Sequence, residues 1–174
     1  VILISNRRLQ LGPITQELAN FGLPFDTPSG AAIRDEDPIR AAYSILRIVG
    51  DRCANAPDYL AHRSLLSQLH GVGTGTVKEI GDQCVANYQN FRDLFYLQAI
   101  PHWLTGRSAA AVGKILSIIQ SSAGWNLQDT IGARAGDIDH ILSNIVFIGS
   151  AQLAAYLTDW NAFAASLPQG MTLE

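Results

Sequence analysis

Charge is scarce in this chain of 174 residues: Asp, Glu, Lys and Arg make up only 16% of it, against about a quarter in ordinary soluble domains. The balance is also slightly acidic, with a formal net charge of -3. A protein that holds nucleic acid by bulk electrostatics needs a dense Lys/Arg footprint, so that mode is excluded and any nucleic-acid contact must be local. There are only two cysteines, Cys53 and Cys84. They lie far apart without a second Cys or His at ligand spacing, so they read as reduced core thiols rather than a disulfide or a metal site. His62, His70, His102 and His140 show no His-x-x-x-His or Cys-His spacing, which leaves zinc chemistry unsupported. No apolar run approaches the roughly 18 residues of a membrane span, and the start lacks a signal-peptide pattern. The expectation is a cytoplasmic protein with no membrane partner. Also missing are Gly-x-Ser-x-Gly, the serine-hydrolase elbow, and Gly-x-x-x-x-Gly-Lys-Ser/Thr, the loop that cradles nucleotide phosphates. No catalytic residue is assigned, and the chain alone is not expected to hydrolyse ATP.

What is present is apolar residues in helical rhythm. At 48% hydrophobic residues the chain can bury a core of its own. Val1–Ile4 is a short β-branched run typical of a buried strand. A helix follows, opened by Pro13 and closed by Gly22, with Ile14, Leu18 and Phe21 on one face; Leu23-Pro24-Phe25 then reads as extended. Thr27-Pro28-Ser29-Gly30 is the best linker and marks a domain boundary. Beyond it the pattern is helix after helix, seven or eight in all. One is capped by Asp37 and closed by Gly50, with Ile39, Ala42, Tyr43, Leu46 and Val49 inward. Another runs from Pro57 to Leu69 with Leu60, Leu65, Leu66 and Leu69 as its apolar side. The rest begin near Thr76, at Phe91–Leu97, after the Thr105 cap with Val112, Ile115, Leu116 and Ile119 inward, at Asp137–Phe147 and at Ser150–Ser166 before Pro168. No fixed-period repeat is present, which disfavours a solenoid. The fold class is mainly α, with a small strand-helix-strand stub at the N-terminus. Trp103, Trp125 and Trp160 sit among apolar neighbours and read as packing residues rather than stacking platforms. Asp35-Glu36-Asp37 reads as helix capping rather than paired catalytic carboxylates.

The sharpest local signal is Leu69-His70-Gly71-Val72-Gly73-Thr74-Gly75-Thr76, which has the pattern of a helix-hairpin-helix element. Two glycines around an aliphatic residue open backbone conformations closed to other residues, while Val72 anchors the turn. Backbone N–H groups of Gly71, Val72, Gly73, Thr74, Gly75 and Thr76 are then expected to meet a phosphate at the positive end of the helix dipole, with Lys78 one turn on adding charge. Such contacts read no base sequence. The plain alternative is a Gly-rich helix-to-helix turn with a Thr cap.

With that hairpin in place the flanking residues resemble UvrD/Rep-type superfamily 1 DNA helicases, over the segment that leaves motor subdomain 2A, forms the inserted subdomain 2B and returns. The family's strand, helix and aliphatic-Pro-Tyr step are matched by Val1–Asn6, Ile14-Thr15-Gln16-Glu17-Leu18 and Leu23-Pro24-Phe25. Its first 2B helix is matched by Ile39–Ile48, and its Arg-Gly-Ile-Gly-x-x-Thr hairpin by His70–Thr76 with His in place of Arg. Gly170-Met171-Thr172-Leu173 is similar to the start of the family's Met-Thr-x-His strand. The resemblance implies residues 1–30 as partial 2A, 31–167 as a helical 2B-like DNA-binding and regulatory subdomain, and 168–174 as the return to 2A. Val1–Ile4 opens in mid-strand and the end falls where another β-like run begins, so an excised piece is expected; Leu173-Glu174 read equally as native or tag-derived. The resemblance further implies a parent that uses ATP and Mg, binds double-stranded or junction DNA, works in replication or repair near the nucleoid, and pairs this part with its motor domains. The fragment itself needs no cofactor. In the family an Arg of the first 2A strand reaches the nucleotide phosphates; Ile4 or Asn6 stands there, depending on the gap, and Arg7 and Arg8 are the candidate substitutes. The family's aromatic pair before the first 2B helix is replaced by Ala32-Ile33 and Arg34. A competing reading is a helical protein-interaction module in which the hairpin is vestigial.

Overall fold

The computed structural model describes residues 16–18, 20–21, 37–54 and 56–173. The chain divides into two compact units, residues 1–32 and 33–174. In the first, residues 16–18 and 20 are helical, inside the span where proline and glycine punctuation predicts a helix. The expected strands at Val1–Ile4 and Leu23–Phe25, the linker at 27–30, and Asp35-Glu36 lie outside the described residues.

The described part of the second unit is built from α1 (Asp37–Ala54), α2 (Tyr59–Gln68), α3 (Thr74–Ala86), α4 (Gly106–Ser121), α5 (Ile131–Ile141) and α6 (Leu153–Ser166). A 3-10 turn at Asp93–Tyr96 and a single π-helical turn at Leu142–Val146 interrupt the series. No strand occurs among the described residues; one antiparallel bridge pairs Thr130 with Thr172. Around it Ile131 N–H donates to Met171 C=O (2.9 Å) and Leu173 N–H to Asp129 C=O (3.0 Å), so the C-terminal segment is tied to the start of α5. No helix among the described residues is long and apolar enough to cross a membrane.

Helical periodicity explains the core. α1 buries Ile39, Ala42, Ile45, Ile48 and Val49, spaced by three and four, so one stripe faces inward. α4 turns Val112, Ile115 and Leu116 in, with Ile119 at the margin. Trp160 and Phe95 are the largest fully buried side chains, and Trp125 is buried too. At roughly 25 cal/mol per Å² of apolar area, burial of each such aromatic supplies several kcal/mol of transfer free energy.

Several expected boundaries move. α1 does not close at Gly50 but runs on to Ala54, because Asp51 is buried and fastened to two other elements, the start of α2 and the 3-10 turn. As a result Cys53, expected in the core, falls on the exposed outer side of that last turn, while Cys84 is buried. Tyr43 and Leu60, expected inward, are exposed; in α2 the inward places go to Ala61 and His62 instead. α3 starts at Thr74 rather than near Thr76. The aromatic segment at 91–97 is a 3-10 turn rather than an α-helix. α5 starts at Ile131 rather than Asp137, because Thr130 caps it through Oγ1, which accepts from Ala133 N–H (3.2 Å). Its expected C-terminal part becomes the π turn, closed by Phe147 N–H donating to Leu142 C=O (2.9 Å), and α6 begins at Leu153 rather than Ser150.

Candidate nucleic-acid interface

α2 ends at Gln68, and Leu69 to Gly73 form the turn into α3. Gly71 adopts φ +81°, in the left-handed region, which L side chains enter at a cost of about 1–2 kcal/mol. Gly73 was expected to need the same freedom and does not: at φ -89°, ψ 170° it is ordinary extended backbone. Its role is different. Gly73 is the N-cap residue of α3 and has no side chain with which to cap it, so the first donors of the helix are left open. Thr74 is the first helical residue and does not serve as the cap.

The donors can be followed one by one. Val72 N–H donates to Leu69 C=O (2.9 Å), and Thr76 N–H to Gly73 C=O (3.0 Å). Those two expected phosphate donors are therefore engaged within the turn. The N–H groups of Gly71, Gly73, Thr74 and Gly75 have no hydrogen-bond partner among the described residues. Val72 is partly buried against the core, as an anchor should be, while Gly71, Gly73, Thr74 and Gly75 are exposed. Open N–H groups at the start of a helix of 13 residues form a natural seat for an anion.

The turn is held from behind. His70 N–H donates to Val146 C=O at 2.7 Å, where the π turn presents its last carbonyl. Lys114 Nζ, from α4, donates to His70 C=O at 3.3 Å. This brings a second cation to the turn, one that no local pattern could place because it lies 44 residues away. Lys78, expected to reach the anion, is an exposed residue whose Nζ lies 2.5 Å from Asp82 Oδ2, an i,i+4 pair along α3. Arg7 and Arg8 lie outside the described residues.

The other polar concentration missed in sequence is buried. Asp51 accepts from Arg92 Nε (2.8 Å) and from Asp58 N–H (2.8 Å), with Arg92 Nη2 also in direct contact. His62 lies beside it: Nδ1 donates to Asp58 C=O (2.8 Å) and Nε2 accepts from the Tyr96 hydroxyl (3.0 Å). Asp58 caps α2 through Ala61 N–H and receives Arg47 in a two-pronged ion pair (2.7 and 2.8 Å). Burial alone would raise the Asp51 carboxyl, but the Arg92 and Asp58 hydrogen bonds and the Arg92 charge outweigh it and hold the pKa below the ordinary value. Burial lowers His62, keeping it neutral, and pushes the Tyr96 phenol up to about 12. Every strong donor here meets an acceptor, so the cluster is a clamp joining α1, α2 and the 3-10 turn rather than a reactive centre. Among the described residues no group of three or more His, Cys, Asp or Glu side chains is placed to hold a metal ion.

No protein-family model matches the chain, and no curated protein and no solved structure matches it either.

Proposed function

We propose that this chain is the duplex-contacting, regulatory 2B portion of an ATP-dependent DNA helicase of the UvrD/Rep type, and that it grips phosphates without base specificity through the Gly71–Thr76 turn. The observation that carries the reading is the glycine-capped start of α3, where the N–H groups of the left-handed Gly71 and of Gly73, Thr74 and Gly75 have no partner among the described residues. The order of sequence matches on either side of that turn supports the helicase assignment. In this reading the helix-hairpin-helix comprises α2, the turn and α3. Gly71, Gly73, Thr74 and Gly75 donate to phosphate oxygens, Lys114 adds positive charge beside the turn, and Lys78 contributes on leaving its exposed pair with Asp82. ATP and Mg belong to the motor domains of the parent, with Arg7 and Arg8 the candidate contacts to the nucleotide phosphates, and junction or duplex DNA is the substrate of the whole enzyme near the nucleoid.

The test is fluorescence anisotropy of a labelled duplex titrated with the chain across a salt series. Contacts to about two phosphates predict weak binding with a log–log salt slope of roughly -2. Gly73→Glu is a clean probe, because its backbone is unstrained and nothing lies within 4 Å of an added Cβ. A carboxylate there favours the helix dipole while repelling phosphate, so fold stability holds and affinity falls about tenfold, a change of roughly 1.4 kcal/mol. Undiminished duplex binding by Gly73→Glu refutes the phosphate seat. An open reading frame with no Walker loop upstream of Val1 refutes the helicase assignment.

A further inference from the structure

A groove of about 490 Å³ runs between α2 and α3, on residues that the proposed phosphate seat does not use apart from Lys78 at its margin. Its walls are largely aliphatic and aromatic: Leu60 from α2, Val77 and Val85 from α3, and Phe91 beyond. Gly81 lies in its floor, and nothing stands within 4 Å of a Cβ added there. Leu60 is 71% exposed and Val85 78%. Large aliphatic side chains left this open on one face mark a contact surface more often than isolated exposed residues do.

The end of α3 adds an independent signal. Gln89 N–H donates to Cys84 C=O (2.9 Å) and Tyr88 N–H to Val85 C=O (3.2 Å), the bond pair of a Schellman termination. That motif puts Tyr88 at the left-handed position, φ 53°, where glycine is the unstrained choice. Tyr88 is nevertheless 99% exposed and so gains nothing from packing. It stands between Val85 and Gln89, both of which line the groove. A strained, solvent-facing aromatic beside an open apolar groove points to a partner that covers it.

Charge decides what kind of partner. Of the cations around the groove, Lys78 is engaged with Asp82. In the adjoining depression Arg40 is engaged with Asp37 and Gln68, and Arg47 with Asp58. Arg63, which lines both hollows, is exposed and has no partner among the described residues. One available guanidinium over an aliphatic floor is too little for a nucleic-acid strand, which needs cations along its length. It fits a helix with a narrow apolar stripe and a carboxylate beside it. We propose that the α2–α3 groove docks an amphipathic helix of a partner protein, which sets aliphatic side chains over Gly81, packs against Tyr88 and places an acidic residue on Arg63.

The experiment uses the 174-residue chain as bait for a displayed library of helical peptides randomised at i, i+3, i+4, i+7 and the flanking positions. Enrichment of aliphatic residues on the stripe with Glu or Asp at one flank is expected. The enriched peptide is then titrated by anisotropy against surface variants that leave the core intact. Val85→Arg and Arg63→Glu each weaken it at least about tenfold, and a Lys-flanked version of the peptide regains affinity for Arg63→Glu. Tyr88→Gly weakens the peptide while raising the urea midpoint of unfolding, a combination a purely structural role would not give. No enrichment, enrichment without an acidic flank, or indifference to Val85→Arg overturns the proposal. So does displacement of the peptide by an oligo-dT strand, or a concentration-dependent dimer of the chain that Val85→Arg abolishes. Duplex binding at the Gly71–Thr76 turn is measured separately with Gly73→Glu, so either site can fail alone.

Discussion

Removing the Arg92 guanidinium tests the buried clamp most directly. The Asp51 side chain is fully buried, and Arg92 is 17% exposed. In Arg92→Ala the Asp51 carboxylate keeps one strong donor, Asp58 N–H at 2.8 Å. His62 cannot replace the lost partner: its Nδ1 is 3.8 Å from Asp51 and its proton is committed to Asp58 C=O. Breaking a buried pair from one side costs about 3–5 kcal/mol, since a charge is left without compensation. The partial exposure of Arg92 lets water reach the hole, so the lower end, about 3 kcal/mol, is expected. The stacking of Arg92 over Tyr96, 4.9 Å from the ring centroid, is lost in the same substitution. Urea unfolding followed by far-ultraviolet circular dichroism and tryptophan fluorescence measures it. The double variant Asp51→Asn/Arg92→Ala should lose less than the two single variants summed, with a coupling of about 1–3 kcal/mol. The deficit of Arg92→Ala against the parent should also shrink on acidification, beginning above the ordinary carboxyl value of about 3.9, because burial without the Arg92 partner raises the stranded Asp51 carboxyl. A loss under about 1 kcal/mol at pH 7, or a coupling near zero, refutes the clamp.

Two further outcomes follow from the same geometry. The folded His62 has a lowered pKa, so below about pH 6.5 the unfolded chain takes up a proton that the folded one refuses. Stability therefore rises with pH through that window and falls on acidification, and His62→Gln should flatten the slope between about pH 5 and 7 in urea titrations; an unchanged slope contradicts the buried neutral imidazole. Asp51, whose pKa is also lowered, contributes stability above its unfolded value near 3.9 that is lost as pH falls through its folded value, so a second decline belongs at lower pH. At the turn, Gly71→Ala should lower stability by about 1–2 kcal/mol because of its positive φ, whereas Gly73→Ala should change it by under about 0.5 kcal/mol. Equal effects in thermal unfolding would mean the two glycines are not distinguished by backbone conformation.

Periodicity made the α1 and α4 faces legible, because Ile, Leu and Val at spacings of three and four have one cheap arrangement: facing inward. Glycine between aliphatic residues likewise marked the turn at Gly71, though local pattern could not tell that Gly71 alone takes positive φ while Gly73 caps α3 without a side chain. Leu60 looked like its neighbours Leu65 and Leu66 in sequence and still points outward, because His62, held by Asp58 and Tyr96, fixes which side of α2 faces the core. Gly50 looked like a stop and was overridden by Asp51, whose partner Arg92 is 41 residues away. The early start of α5 had a readable cap in Thr130, but Gly132 and Gly136 weaken the helical pattern behind it. Lys114, Arg63 and Tyr88 carried no local signal, since their importance lies in what stands next to them in space.

By itself, then, the sequence determined a mainly helical chain with few charges, an aliphatic core, and a glycine turn at Gly71–Gly75 able to leave N–H groups open. Those follow from side-chain period and backbone freedom, which act over a few residues. Which N–H groups of the turn stay open among the described residues, the sealing of Asp51 and His62 into a clamp, and the exposure of Leu60, Val85 and Tyr88 around one groove are outcomes of long-range packing. Burial and pairing are properties of neighbours distant in the chain, and no local pattern fixes them.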